Sequence, residues 1–364
     1  MAKRKYILFT PGPTEVPDFI LKENSRPLVY HREASFSLLF HDTVKELKKV
    51  FLTDGKIYIL TASGTGAMEA AVSNFVSRGD KALVVICGKF GERWRELLFR
   101  YGAYVRNLTA PYGETIAPEE LERRLKTDDS IKYVFTTLTE TSTGAVLDIK
   151  SYGDICHRLN RHLIVDCVAG LAADEFRMDD WHVAIAVGAS QKALFTPPGL
   201  SFIACNERII PIMKNCRSPR YYFDLQLYEK FTDKGQTPWT PAISLFFGLN
   251  KALKTINKKG VANFWAEHKK IAQLVRKEVV NMGLELFTKT PSNGLTVIKM
   301  PKGIDGTKIV EYVKTHHHML LANGQAEMRG KMVRIGHMGY FKKPEIIRAL
   351  KAFKAGYKYV IKSK

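Results

Sequence analysis

The chain has 364 residues, 45% of them hydrophobic and 25% charged, which suits one large two-lobed protein or two modest domains sharing an interface, with a sizeable core. No apolar run reaches the roughly 18 residues of a membrane span, so no membrane association is expected. The formal net charge is +20, but the Lys and Arg are spread thinly, with only a mild concentration in the tail KAFKAGYKYVIKSK. No nucleic-acid-binding motif accompanies them, so the charge reads as a solvated basic surface and no nucleic-acid partner is expected.

The opening MAKRKYILFTPGPT lacks the apolar core and cleavage site of a secretory signal, and a cytoplasmic location is the expectation. Cys87, Cys156, Cys167, Cys205 and Cys216 form no CxxC or metal-like spacing and read as free thiols. The apolar run YILF ends in Pro11, Gly12 and Pro13. Two fixed φ angles around a residue without a side chain make a rigid, uncrowded loop. Phe36, Leu39, Val44, Leu47 and Phe51 then recur at helical spacing and predict a long amphipathic helix.

Ile57 to Leu60 form a β-rich run that meets Thr61, Ala62, Ser63, Gly64, Thr65 and Gly66 before the helical AMEAAVSNFV. A strand, a small-residue turn and a helix N-terminus bring free N–H groups and the helix dipole together. With the hydroxyls of Ser63 and Thr65 they would hold a phosphate, although a plain capped helix has the same pattern. KALVVICGKFGERW repeats strand, glycine turn and helix, with Phe90 between Gly88 and Gly91. A ring there either lies against a flat cofactor or packs on the core.

After a further strand in AYVRNLT, YVFTTL ends in the hydroxyl-rich loop Glu140, Thr141, Ser142, Thr143, Gly144. LIV terminates at Asp166, an acid that needs a cationic or donor partner at the inner end of a sheet. AIAV stops at Gly188, and Ala189, Ser190 and Gln191 deliver Lys192 where open α/β sheets bind their ligands. Strands alternating with helices over residues 55 to 205 predict an α/β fold with a mostly parallel sheet covered on both faces. Beyond Phe202 come an aromatic segment, the proline-punctuated loop Gln236 to Pro241 and a helix rich in Leu and Phe. A small C-terminal α+β lobe follows, with Arg334 inside the strand MVRIG. His316, His317 and His318 are consecutive, point apart and make a poor chelate, so no metal is expected.

A lysine and an aspartate at neighbouring strand ends, a phosphate cup and a stacking aromatic form the set that pyridoxal phosphate requires. The motifs FTPGPT, ASGTGAMEAA, TETSTGAVLDI, LIVDCVAG, GASQKAL, TPPGLSF and VRIGHMG occur in this order from Phe9 to Gly339. Together they resemble the class V aminotransferases of the alanine–glyoxylate, serine–glyoxylate and serine–pyruvate type. The resemblance implies the fold type I architecture of pyridoxal-phosphate-dependent transferases, with a sheet of seven strands in a large domain over residues 15–255. Residues 1–14 and 256–364 would form the small domain. It further implies a homodimer with shared active sites, acting on a small amino acid and a 2-oxo acid.

By that resemblance Lys192 holds the cofactor as a Schiff base and relays the substrate α-proton, while Asp166 pairs with the pyridinium nitrogen. Ser63, Gly64, Thr65 and Gln191 hold the phosphate, Thr141 bonds near the ring's phenolic oxygen, and Phe90 stacks on the ring. Gly12 and Arg334 take the substrate carboxylate. Thr240, or Thr237, reaches the partner's phosphate site. Thr65 stands where some relatives have His, and Phe90 where many have Trp, which affects cofactor contacts more than reaction type. The expected reaction moves the amino group of alanine or serine to glyoxylate or pyruvate. A phosphonate-specific transaminase, a lyase or a desulfurase is the alternative on the same fold, and a basic non-enzymatic binding protein the alternative outside enzymes.

Overall fold

A computed structural model describes residues 6–363; Met1 to Lys5 of the expected N-terminal segment lie outside the described residues. Its central feature is a seven-stranded sheet in the spatial order Lys56–Leu60, Ser201–Cys205, Val183–Ala189, His162–Asp166, Ile131–Thr137, Lys81–Ile86, Tyr104–Thr109. Ser201–Cys205 runs antiparallel to both its neighbours and the other six strands share one direction. The mostly parallel α/β sheet expected from the strand–helix alternation is therefore present.

The alternation of side chains along each strand explains why helices cover both faces. Ile57 and Ile59 point to one face, where they join Phe36, Phe40 and Leu47 of the helix Ala34–Phe51 and Phe246 of the helix Ile243–Lys259. Tyr58 and Leu60 point to the other, with Met68 and Val72 of the helix Gly64–Phe75 and Trp94 of the helix Lys89–Arg100. A strand apolar at every position has no polar face to offer water and must be buried on both sides. The lysine strand is longer than its AIAV core, because Gly188 and Ala189 continue the pairing with Ser201 and Phe202.

A second, four-stranded antiparallel sheet has the order Glu285–Leu286, Leu295–Lys299, Met332–Gly336, Ala322–Asn323. The helices Val261–Asn281, Gly306–His317 and Lys343–Lys362 pack around it through Val275, Ile309 and Phe353. Residues 255 and 256 both lie in the helix Ile243–Lys259, and the chain turns at Gly260 with φ +84° before entering Val261–Asn281. The N-terminal segment belongs with this lobe: Ile7–Leu8 pairs with Met319–Leu320, and Phe9 is buried in the same apolar cluster.

Backbone and side-chain bonds tie the two lobes beside the strand ends. Val146 N donates to Thr290 O at 2.8 Å and Ser292 N to Gly144 O at 2.9 Å. Buried Asp174 accepts from Thr139 Oγ1 at 2.7 Å in the large lobe, and from Ser292 Oγ at 2.6 Å and Asn293 N at 2.7 Å in the small one. A carboxylate buried with three donors is held firmly, since losing any of them leaves a desolvated charge short of partners.

Candidate active site

The carboxyl ends of the parallel strands bring the predicted residues to the junction of the lobes. Lys192 lies three residues beyond Val183–Ala189 and is only 9% exposed. Its Nζ donates to Pro11 O at 2.6 Å. Thr14 completes the attachment, its N bonding Gln191 O at 3.1 Å and its Oγ1 bonding Lys192 O at 2.9 Å. Gly12 lies directly over the lysine: its φ is +110°, and a Cβ placed there would overlap the end of the Lys192 side chain. The Pro-Gly-Pro loop thus needs its glycine for conformation and for space.

Asp166 closes the adjacent strand, where it pairs in register with Val187. It is 4% exposed, and its Oδ1 accepts from Val168 N at 2.8 Å. Burial pushes its carboxyl up to about 6, with the nearby Glu140 adding to the shift while Val168 N–H and the charges of Lys192 and Arg93 oppose it. Burial likewise pushes the Lys192 amine down to about 8, with Asp166 opposing and Arg334 and Arg93 reinforcing. A buried lysine whose ammonium form is disfavoured gives up its proton more readily than a surface lysine, and the free amine is both a nucleophile and a proton acceptor.

The phosphate-cup stretch opens the helix Gly64–Phe75, and Ser63 occupies its N-cap position without a side-chain cap bond. Its hydroxyl and the first-turn N–H groups are therefore available to an anion. A Cβ on Gly64 would come 2.7 Å from Val168 Cγ2, so the turn packs against the segment following Asp166 as closely as glycine allows. Gln191 leaves its Oε1 buried without a hydrogen-bond partner among the described residues. Thr65 Oγ1 accepts from Arg93 at 3.0 Å, which turns the threonine's own proton away to donate elsewhere. The guanidinium of Arg93 also lies 4.6 Å from the Phe90 ring centroid. Uncommitted donors, an orphaned amide and two groups pushed toward neutrality fit a cofactor with a phosphate, a basic ring nitrogen and an aldehyde.

Arg334 crosses from the small lobe. It is 7% exposed, and it donates from Nε to Asn323 O at 2.9 Å and from Nη1 to Thr141 O at 3.0 Å. Nη2 has no protein acceptor among the described residues. Burial lowers its pKa to about 10, which leaves it cationic at neutral pH, with Glu140 opposing the shift.

The loop Gln236 to Pro241 stands apart from this cluster. Arg32 holds it through Gln236 Oε1 at 3.0 Å, Thr237 O at 2.8 Å and Pro238 O at 3.0 Å, and Ala242 N bonds Thr61 Oγ1 at 3.1 Å. Thr237 is buried, with its hydroxyl bonded to Trp239 O, while Thr240 is exposed.

Two residues in contact with the cluster had no role in the sequence reading. Arg93 lies in the helical end of KALVVICGKFGERW, where nothing in sequence singles it out. Glu140 looked like part of a polar loop, and the only signal was an acid among hydroxyls at a strand end with no basic neighbour in sequence. The cleft between the helices Gly306–His317 and Lys343–Lys362, lined by Tyr312, His316 and Tyr359, contains none of these groups.

The family described as Aminotransferase class-V matches residues 12–349. An uncharacterized aminotransferase of Methanocaldococcus jannaschii is 37% identical, the match covering 95% of this chain and 91% of that one. The L-aspartate–glyoxylate aminotransferase of Paracoccus denitrificans is 33% identical over 91% of this chain and 86% of its own length. The crystal structure of an alanine–glyoxylate aminotransferase from Nostoc sp. superposes with a TM-score of 0.94 at 29% identity, covering 98% of this chain and 96% of that one.

Proposed function

The chain belongs to the class V aminotransferases, pyridoxal 5'-phosphate enzymes that act on amino acids and 2-oxo acids, and from that premise we propose that it moves the amino group of alanine or serine to glyoxylate or pyruvate. The observation that carries the reading is the enclosed Lys192 amine, bonded to Pro11 O under the Gly12 loop and set at the end of the strand beside the one that Asp166 closes. When bound, pyridoxal phosphate supplies the carbonyl carbon that takes up the amino group and the cationic ring that draws electrons from the substrate. Lys192 holds the cofactor and afterwards moves a proton to and from the substrate α-carbon, a role suited to an amine that titrates near the working pH. Asp166 would pair with the ring nitrogen and keep it protonated. Ser63, Gly64, Thr65 and Gln191 would bind the phosphate, Thr141 would bond near the phenolic oxygen, and Phe90 would stack on the ring.

Arg334 binds the substrate carboxylate with the guanidinium edge that its two scaffold bonds leave open, and the Gly12 loop closes the opposite side. Residues 15–255 then act as the cofactor lobe, and residues 1–14 with 256–364 as the carboxylate lobe. A desulfurase reading draws no support: Cys87, Cys156, Cys167 and Cys205 are buried with thiols pushed up by desolvation, and half-buried Cys216 donates to Ser73 O at 3.5 Å on the helix Gly64–Phe75.

A half-reaction screen tests the assignment. Purified holoenzyme mixed with single amino acids should lose its cofactor absorbance with alanine or serine and regain it with glyoxylate or pyruvate. Reaction with aspartate alone would overturn the choice of donor. In the same screen Arg334→Lys should keep the cofactor but lose about thirty- to a thousand-fold in kcat/KM, on the order of 2–4 kcal/mol, because lysine keeps the charge and loses the planar fork.

The reading includes a homodimer in which Thr240 reaches the partner's phosphate site. Support comes from the rigidly held loop that leaves Thr240 outward, and from the exposed rings of Tyr30 and Tyr221, 59% and 77% accessible. Sedimentation equilibrium should give a dimer. The double substitution Tyr30→Glu with Tyr221→Glu should shift it toward monomer and make cofactor affinity depend on protein concentration. A monomeric parent that binds cofactor tightly would remove this part of the proposal.

A further inference from the structure

Glu140 is fully buried, and its carboxylate accepts four hydrogen bonds. Oε2 takes Phe90 N at 2.9 Å and Gly91 N at 3.2 Å, both from the first turn of the helix Lys89–Arg100. Oε1 takes Ser142 N at 3.1 Å and Ser142 Oγ at 2.6 Å. The helix has no side-chain cap of its own, since its N-cap position is Gly88; Glu140, 50 positions beyond Phe90, caps Phe90 N and Gly91 N, and Ser142 Oγ accepts from Lys89 N at 3.1 Å. The approach is as close as glycine permits: a Cβ on Gly88 would lie 2.6 Å from Glu140 Cδ. An acid at a helix N-terminus is also favoured by the helix dipole.

Two of the groups assigned to ligands hang on this acid. Phe90 is held through its own backbone N–H. Arg334 is held through Thr141 O, the carbonyl next along the chain from Glu140, in a loop whose turn is closed by Thr143 N and Gly144 N on Glu140 O at 3.1 and 2.7 Å. We infer that Glu140 is a positioning residue that locks Phe90 of the large lobe and Arg334 of the small lobe into one frame, registering the cofactor face to the substrate carboxylate. Burial raises the Glu140 pKa while all four contacts favour the ionised form. Three of the four partners are backbone N–H groups that can only donate and so favour the carboxylate, while the Ser142 hydroxyl can donate or accept. Glutamine is a poorer fit: with its amide oxygen on the two helix N–H groups its NH2 can donate to Ser142 Oγ but meets the N–H of Ser142, and the other orientation meets both helix N–H groups.

The inference rests on the carboxylate role proposed for Arg334, and a double-mutant cycle on the holoenzyme separates the two. The probe is propionate, which carries the carboxylate but neither the amino nor the keto group. Its dissociation constant is measured by calorimetry, and the cofactor environment is read by visible circular dichroism. Glu140→Gln should weaken propionate about tenfold in the parent and less than about twofold in the Arg334→Lys background, because the acid acts through the arginine. The cofactor's dichroism should change in both. Should Glu140→Gln fail to fold, Ser142→Ala removes one of the four donors to Glu140 together with the bond from Lys89 N, and should give the same pattern, about threefold in the parent. Equal weakening in both backgrounds means a general loss of structure and overturns the inference, as does unchanged propionate binding in Glu140→Gln beside a weakened Arg334→Lys. An Arg334→Lys variant that binds propionate like the parent overturns the carboxylate reading beneath it.

Discussion

Lys192→Met should abolish transamination, lowering kcat by about 10⁴-fold or more, while the cofactor-free protein folds as well as the parent or better. Methionine keeps an unbranched apolar stem one atom shorter than lysine and gives up one bond, from Nζ to Pro11 O at 2.6 Å. It also removes an amine that burial drives from 10.5 to about 8. Between those pH values the unfolded chain holds a proton that the folded chain has lost, so the parent's stability should rise with pH there and the variant's should not. Borohydride reduction of the parent holoenzyme followed by peptide mapping should find the cofactor on Lys192. A label on another lysine, or a Lys192→Met variant with activity within tenfold of the parent, would move the chemistry elsewhere.

Asp166→Asn should lower kcat by about 10²–10³-fold and leave phosphate anchoring largely intact. The amide oxygen can still accept from Val168 N, now at 2.8 Å, but no anion faces the ring nitrogen. Without cofactor the substitution should be stabilising. The carboxyl is raised from 3.8 to about 6, so the stability tied to its proton is complete below pH 3.8 and is lost as pH rises through 6. Above that pH the parent buries a charge that asparagine lacks, a difference on the order of 1–3 kcal/mol, measurable by urea unfolding of the apo forms. The two effects have opposite signs, as expected where a site is arranged for function at the expense of stability. Turnover within a few-fold of the parent would discredit the role given to Asp166.

Much of the large lobe was legible in the chain because its signals are local. Ile57 to Leu60 and Ala184 to Val187 are apolar at every position, which marks strands covered on both faces, and the small residues after each mark the strand ends. Asp166 is readable because it follows the apolar run LIV directly, whereas Lys192, set beyond Gly188, Ala189, Ser190 and Gln191, reads as an ordinary surface charge until the other motifs are set beside it. The distant Arg334 was located by motif resemblance, since an arginine inside MVRIG has no local feature that separates it from a surface cation.

The contacts that make these residues a site are of another kind. Gly12 overlies Lys192 from 180 positions away, and Arg334 reaches Thr141 across the lobe junction. Thr65 meets Arg93, and Glu140 caps the helix that carries Phe90. A single sequence marks which polar residues will be buried at strand ends, because burial follows hydrophobic period. It carries no comparable signal for which donor will face which acceptor, because that depends on how two lobes and three loops meet, and each buried group accepts whatever partner the assembled backbone brings within about 3 Å. The location and chemical character of the candidate site were thus determined by the residues in order; the pairing of Glu140 with the helix N-terminus, and of Arg334 with the loop behind it, was decided only when the tertiary structure closed.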